Sequence, residues 1–200
     1  MAGSSSANDD FFEVSASERR SALLQAFVLN AGLAAVLAVG GLLADSSALL
    51  ANAMCSCVHA MSLQLRQLAA SRSLRWKSVA AAINGVIVLA LAAAVAYDAG
   101  NRLAQGSQPV GGAMVGLSVL ALAINAWCVR IWLWSHHSGS KQRTACKLSI
   151  AGVLAGALVL FLETNIPDLV LAFLTCVLAA YAVVNALLDA IRQQVERPTP

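Results

Sequence analysis

The sequence predicts an all-α membrane protein with six transmembrane helices and both termini in the cytoplasm. The first observation behind this prediction is composition: the 200-residue chain is 59% hydrophobic and only 12% charged, and its mean hydropathy is +0.73. Soluble domains carry about 25% charged residues, so this chain is short of polar surface. The other two observations are long runs without charged residues and the one-sided placement of the basic residues.

Six stretches of the chain contain no Asp, Glu, Lys or Arg: 21–44, 46–65, 78–97, 103–129, 148–162 and 169–188. A helix needs roughly 20 apolar residues to cross a bilayer. The run at 148–162 is shorter and has to extend at its N-terminal side. We therefore predict spans near 22–43, 46–68, 78–100, 112–134, 144–162 and 168–190. The alternative, a soluble helical bundle, requires a polar face on each helix, and these segments are apolar most of the way round.

The basic residues lie on one side of this topology. All but one of the 13 Lys and Arg residues fall at the N-terminus, in the connections between spans 2 and 3 or 4 and 5, or at the C-terminus, and Arg102 is the exception. The positive-inside rule makes that side cytoplasmic. Topology thus accounts for the basic loops, and no nucleic-acid partner is predicted.

The domain organisation is simple. Residues 1–20 are Ser-rich, then acidic, then basic, which predicts a disordered cytoplasmic segment and differs from a secretory signal, which begins with basic residues and continues into an apolar core. Residues 21–192 are expected to form the transmembrane domain, and residues 193–200 a short cytoplasmic tail.

The spans carry few polar residues, and each has a structural expectation. Asn30 in span 1 is expected to hydrogen-bond to another helix. Asp45 or Ser46 is expected to cap span 2. Two small-xxx-small pairs, Gly112–Gly116 in span 4 and Gly152–Gly156 in span 5, are expected to let helices approach closely. The five cysteines lie inside or at the edges of spans, so a secreted disulfide framework is not indicated.

The second span carries a polar stripe. Asn52, Cys55, Ser56 and His59 recur at intervals of three or four residues, so they share one face of a helix. An ionisable residue inside a span is costly and indicates a functional site. Cys55 and His59 can bind one metal ion if other helices supply further ligands. Thiolate and imidazole suit zinc and softer ions better than magnesium or calcium.

Other functional classes have little support. The sequence contains no glycine-rich phosphate loop, no Ser/His/Asp set and no pair of carboxylates inside the spans. A membrane-embedded enzyme needs a general base or an activated water, and no second acid or base accompanies His59, so we predict that the protein is not an enzyme. His136 and His137 are an alternative cation site in a His-rich loop, but beside Lys141 and Arg143 we interpret them as solvated.

The stretch GLLADSSALLANAMCSCVHAMSL at 41–63 resembles the cation diffusion facilitator family of divalent-metal/proton antiporters. Members carry a pattern like G-x-L-x-x-S-x-A-L-L-A-D-x-x-(H/D)-x-x-x-D in the second of six spans. Further matches occur in order along the chain, over roughly residues 20–192: Asn30 in span 1, Arg75 to Lys77 after span 2, Ala151-Gly152-Val153 in span 5 and Pro167-Asp168 at the start of span 6. The resemblance implies a six-helix transporter in a short form without a cytosolic metal-sensing domain.

The resemblance also implies a site, with altered ligands. The family's ligand pair in span 2 falls on Cys55 and His59, and its pair in span 5 falls on Gln142 and Cys146. The acidic residue that precedes the first pair becomes Asn52, and a span-1 acidic residue of the short branch becomes Leu37. Thiols, an imidazole and an amide thus replace an oxygen-rich ligand set.

Two hypotheses follow from the altered ligands. In the first, the protein exports a divalent or thiophilic transition-metal cation of the Zn, Co or Cd type. Cys55, His59 and Cys146 bind the ion, with Gln142, Ser149 or water as the fourth ligand, and His59 carries the exchanged proton. In the second, the chain has lost transport and serves as a dimer partner or regulatory subunit, which Lys147 beside Cys146 favours. Further expectations are a homodimer, a bacterial inner-membrane location and no resident cofactor, the metal being cargo.

Overall fold

The computed structural model describes residues 16–70, 73–134 and 140–195, and all of the secondary structure in these ranges is helical. The helices are α1 (Ala16–Leu43), α2 (Ser47–Ala70), α3 (Leu74–Gln105), α4 (Gly111–Trp134), α5 (Ser140–Leu162) and α6 (Ile166–Val195). Each contains a segment long and apolar enough to cross a membrane. The prediction of an all-α fold with six membrane-spanning helices is therefore confirmed. Most of the segment predicted to be disordered and the His136–His137 connection lie outside the described residues.

The membrane-spanning segments agree with the six uncharged runs. They cover Ser21–Leu43, Ser47–Leu65, Ser78–Gln105, Gly111–Ile131, Thr144–Leu162 and Ile166–Ala186. The fifth segment extends at its N-terminal side beyond the uncharged run, as its length requires. We call the end of the bundle with the α1–α2, α3–α4 and α5–α6 connections the loop end, and the opposite end, where α1 begins and α6 ends, the terminal end.

Two hydrophobic clusters hold the helices together, and α2 contributes to both. The first cluster joins α1, α2, α4, α5 and one residue of α6, with Leu37, Leu49, Met114 and Val159 among its buried members. The second joins α2, α3 and α6, with Met54, Val95, Ala99, Leu169 and Ala172 among its members. Because α2 supplies residues to both clusters, its surface includes the seam between them.

Small residues set the close contact between α4 and α5. A Cβ atom on Gly152 would lie 2.6 Å from Ser118 Oγ, and one on Gly156 would lie 2.9 Å from the backbone nitrogen of Val115. The prediction for the α5 pair is thus confirmed. On α4 the residue in contact is Gly111, whereas nothing in the described chain lies within 4 Å of a Cβ on Gly112 or Gly116, so that pair mediates no close approach within this chain.

The loop end is closed by a carboxylate from α6 that caps α2. Asp168, which is 0% exposed, accepts hydrogen bonds from Ser46 Oγ (2.5 Å), Ser47 N (2.9 Å) and Ala48 N (3.0 Å). The first N–H groups of a helix have no partner inside the helix, so a carboxylate there is favoured by hydrogen bonding and by the helix dipole. Ser46 Oγ also accepts from Leu49 N (3.2 Å), which confirms Ser46 as a cap.

An arginine links this cap to the neighbouring segments. Arg102 pairs with Asp45 and, through Nε at 2.7 Å, with Asp98. Asp98 in turn accepts from Ser47 Oγ (2.7 Å), and Asp45 accepts from Gln108 N (2.9 Å). We call Asp45, Ser46, Ser47, Asp98, Arg102 and Asp168 the loop-end network. It gives the one basic residue outside the predicted cytoplasmic side a local role in neutralising carboxylates.

Candidate metal-binding site

The polar stripe of α2 lies at the seam between the two hydrophobic clusters. Ala48 and Ala53 of α2 pack in the first cluster, and Ala51 and Met54 pack in the second. The stripe residues lie between them: Asn52 and Ser56 are 4% and 2% exposed, while Cys55 and His59 are half-buried. The polar face predicted from spacing is therefore turned into the protein at the junction of its two cores.

Within the stripe, Cys55 and Asn52 have different surroundings. Cys55 packs against the second cluster, whose members include Cys176 of α6. Asn52 Nδ2 is buried without a hydrogen-bond partner in the part of the chain that the structure describes. Leaving a buried donor unpaired costs about 1–3 kcal/mol. Packing alone does not favour an asparagine here, and this points to a functional reason for the amide.

On α1, Asn30 forms the hydrogen bond to another helix that the sequence predicts. Its side chain is 0% exposed, and Nδ2 donates to Ala26 O (2.8 Å) and to Cys128 Sγ of α4 (3.6 Å). Its Oδ1 is buried and has no partner among the described residues. Asn30 therefore combines a structural contact with an oxygen available to a further partner.

The same region of α4 contributes two further buried residues, Asn125 and Cys128, that are not among the predicted site residues. Asn125 Nδ2 donates to Ser149 Oγ of α5 (3.1 Å), and Ser149 Oγ donates to Ala145 O (3.0 Å). Cys128 is 0% exposed. Asn125 and Cys128 lie three residues apart on one face of α4, which is the spacing that identifies the α2 stripe, so the signal was present in the sequence.

On α5, Cys146 and Gln142 are the positions that the family resemblance implies. Cys146 is half-buried and Lys147 is exposed. Leu148 faces the first cluster, and Cys146, two residues earlier, points about 160° away from it around the helix. Gln142 belongs to α5, but its side chain lies outside the described residues.

The structure brings some of these side chains together and not others. In the described ranges, no group of three or more His, Cys, Asp or Glu residues is placed to hold a metal ion. Cys55 and His59 share the face of α2, but Cys146 does not join them here. The ligand set of Cys55, His59, Cys146 and Gln142 therefore stays a prediction.

The comparison with known families identifies one domain. The family profile described as the cation efflux transmembrane domain matches residues 23–193. This range begins in α1 and ends in α6, so the match includes all six spans. A search of curated proteins finds no match.

Proposed function

The chain belongs to the cation efflux family, and from this premise we propose that it exports a divalent or thiophilic transition-metal cation of the Zn, Co or Cd type in exchange for protons. The family consists of metal-cation transporters, and six apolar helices make this chain an integral multi-pass membrane protein. The identity of the ion, the exchange for protons and the direction are the proposed parts.

The observation that carries the proposal is the position of the α2 stripe. Secondary transporters bind their cargo between structural units that rock against each other. Here α2 is shared by the two clusters, and its polar face lies where movement of one cluster relative to the other would open a path. At this seam the buried Asn52 Nδ2 has no hydrogen-bond partner among the described residues. The free-energy cost of this unpaired donor is one that cargo binding can offset.

The proposed ligands determine the chemistry of exchange. Cys55 and His59 bind the cation from α2, with Cys146 and Gln142 completing the site from α5 when the helices rearrange, and Ser149 or water as the alternative fourth ligand. Thiols and imidazole must lose protons to bind a metal, so binding the cation releases protons. His59 is the proposed proton carrier because imidazole titrates near neutral pH.

The proposed orientation rests on charge. The basic residues other than Arg102 belong to segments that the six-helix topology places at the terminal end, and the positive-inside rule makes that end cytoplasmic. Export then proceeds towards the loop end. A bacterial inner membrane and a homodimer complete the proposal.

A second candidate is a transport-inactive partner or regulatory subunit of a metal transporter. Two observations favour it: a lysine adjoins Cys146, and the described residues contain no three-ligand group. A cation next to a metal site opposes metal binding. Against this, Lys147 points about 100° away from Cys146 and is exposed, so its ammonium can reach the membrane surface.

The test is a flux assay in proteoliposomes with Zn²⁺, Co²⁺, Cd²⁺ and Cu⁺. We expect wild type to move at least one of these ions. His59→Ala and Cys55→Ser should reduce its flux at least about tenfold, because loss of even an outer-shell partner of a ligand costs about 10–100-fold. Cys57→Ser is the matched control, because Cys57 is also half-buried but lies about 160° away from Cys55 around α2.

Three results would count against the proposal. If wild type moves none of the ions, the transport hypothesis fails, and the second candidate is then supported if the chain captures a longer relative. If ions move but both variants match Cys57→Ser, the site is wrong. Flux that does not respond to a pH gradient across the vesicle would exclude exchange for protons.

A further inference from the structure

We propose that the connection between α3 and α4, residues 106–110, is an outer gate for the cargo and that Arg102 latches it in the closed position. We call this connection the strap. The proposal rests on the proposed function, because a gate serves a transporter. It goes beyond that function by assigning a role to residues that bind neither the cation nor the exchanged protons. In this structure the gate is closed.

The strap crosses from one hydrophobic cluster to the other. Val95 and Ala99 of α3 belong to the second cluster, whereas Met114 and Ala121 of α4 belong to the first. Neither cluster contains described residues of both helices. The strap, which follows α3 and precedes α4, therefore joins the two clusters at the loop end of the seam between them.

The strap lies at the end of α2 from which the polar stripe begins. Gln108 N of the strap contacts Asp45, which lies two residues before the first residue of α2. Ala48 in the first turn of α2 and Asn52 of the stripe are four residues apart. They share a face and are about 6 Å apart along the helix axis. Cargo that leaves the stripe towards the loop end therefore passes the segment that the strap contacts.

Hydrogen bonds hold the strap to the other two connections at the loop end. Three bonds, each 2.9 Å long, join Gln108 N to Asp45 Oδ2, Val110 N to Ala44 O, and Asn165 Nδ2 to Ser107 Oγ. The first two bind the strap to the α1–α2 connection, and the third binds it to the α5–α6 connection. Because these bonds are spread along the strap, it moves away from the seam only when they break.

Arg102 reinforces the attachment of the strap to the α1–α2 connection. It lies one turn before the strap in α3 and pairs with Asp98 and with Asp45, so the Asp45 carboxylate is held by both α3 and the strap. The Asp45 side chain is 47% exposed, and exposed ion pairs contribute little to stability. Such a contact can open and close during a transport cycle, whereas the Asp168 cap joins α2 to α6 and need not break.

The first test measures how fast Cys55 of the stripe reacts with a membrane-impermeant methanethiosulfonate added to the loop-end side of sealed membrane vesicles. The vesicles contain the full-length Cys57→Ser chain, and mass spectrometry identifies the modified thiol. We expect Arg102→Gln to increase the rate at least about fivefold, because modification follows the fraction of molecules with an open gate. Gln108→Ala is the matched control. It keeps the backbone N–H that binds Asp45 and should react at the rate of the parent chain.

A second variant perturbs the strap without removing a contact. Gly106 has φ 84° and ψ 154°, a backbone conformation that glycine alone adopts readily, and a Cβ there would meet nothing within 4 Å. Gly106→Ala should therefore shift the strap and also speed the reaction of Cys55. Gly100→Ala is its control, because its added Cβ also meets nothing within 4 Å but lies within α3, where alanine is favourable.

Cys128 distinguishes opening of the gate from unfolding, since it is 0% exposed and lies on α4 rather than on the stripe. Its reaction rate should stay unchanged in both variants. A variant in which Cys128 also reacts is unfolded, and the other variant then decides. Unfolding of both variants would show that the strap is purely structural and would overturn the proposal, as would Cys55 rates equal to that of the parent chain.

The accessibility of Cys55 does not depend on flux, so failure of the gate and failure of the proposed function give different results. If wild type moves no ion, transport is refuted, and faster reaction of Cys55 in Arg102→Gln still supports the gate. If ions move but the Cys55 rate is unchanged in Arg102→Gln and Gly106→Ala, the gate alone is refuted.

Discussion

The partly buried loop-end network and the buried polar residues in the interior of the bundle differ in their hydrogen bonding. Asp168 accepts from Ser46, Ser47 and Ala48, and Arg102 neutralises the neighbouring carboxylates. In the interior, Asn30 and Asn52 each keep one buried polar atom without a partner, whereas none of the six loop-end residues does so among the described atoms.

This difference in hydrogen bonding distinguishes residues that contribute to stability from residues that contribute to function. A buried polar group that is fully paired rigidifies the structure, while an unpaired one costs free energy. Proteins retain such costs mainly at functional sites. We therefore interpret the loop-end network as a structural element that holds α2, α3 and α6 together. We interpret the unpaired interior residues as positions that serve ligand binding. Four substitutions test this division, ordered by the expected size of their effect on stability.

The largest loss of stability is expected from Asp168→Ala. It leaves the N–H groups of Ser47 and Ala48 without their carboxylate partner, and we expect the free energy of unfolding to fall by about 3 kcal/mol. The measurement is SDS-induced unfolding from mixed micelles, followed by tryptophan fluorescence. Glu163→Ala is the matched control, because Glu163 is an exposed carboxylate in the same connection. Equal losses of stability in both variants would show that the Asp168 cap does not hold the loop end together.

A smaller loss is expected where α4 and α5 meet, since this pair carries the Asn125–Ser149 contact. Gly156→Ala would place a Cβ 2.9 Å from both Met114 Cβ and Val115 N, and overpacking of this kind costs about 1–3 kcal/mol. Gly116→Ala is the control, because nothing lies within 4 Å of its added methyl group. The same unfolding assay should show Gly116→Ala as neutral or more stable, by up to about 1 kcal/mol.

Asn52→Leu should separate stability from activity most clearly. Leucine has a similar branched shape without the unpaired donor, so we expect the free energy of unfolding to stay constant or rise by about 1 kcal/mol. Metal flux in proteoliposomes should fall at least about tenfold. A variant that loses stability, or one that transports like wild type, would show that Asn52 is a structural residue.

The smallest effect is expected from Asp45→Asn. The Asp45 side chain is 47% exposed in its pair with Arg102, and exposed ion pairs contribute about 0–1 kcal/mol. We expect a loss below about 1 kcal/mol that shrinks further at high salt, measured by unfolding at two ionic strengths. A loss comparable with that of Asp168→Ala would mean that Arg102, rather than the α2 cap, holds the loop end together.

Much of the candidate site could be predicted from spacing along single helices. Asn52, Cys55 and His59 repeat at intervals that place them on one face, and the structure turns that face inward. Asn125 and Cys128 show the same spacing, but neither is charged, and small or amide side chains inside spans are common enough that spacing alone did not single them out. The sequence also could not identify the partner of Asn30. It predicts a hydrogen bond to another helix but does not say which helix accepts it.

The sequence by itself determined the six apolar spans, the side on which the basic residues gather and the polar face of α2, because hydrophobic length and helical periodicity are local properties of the chain. Only the tertiary structure decided that α2 lies at the seam of two cores, that Asp168 caps α2 across some 120 intervening residues, and that Asn30 of α1 pairs with Cys128 of α4. These pairings depend on how helices rotate and shift against each other, which small differences in packing control.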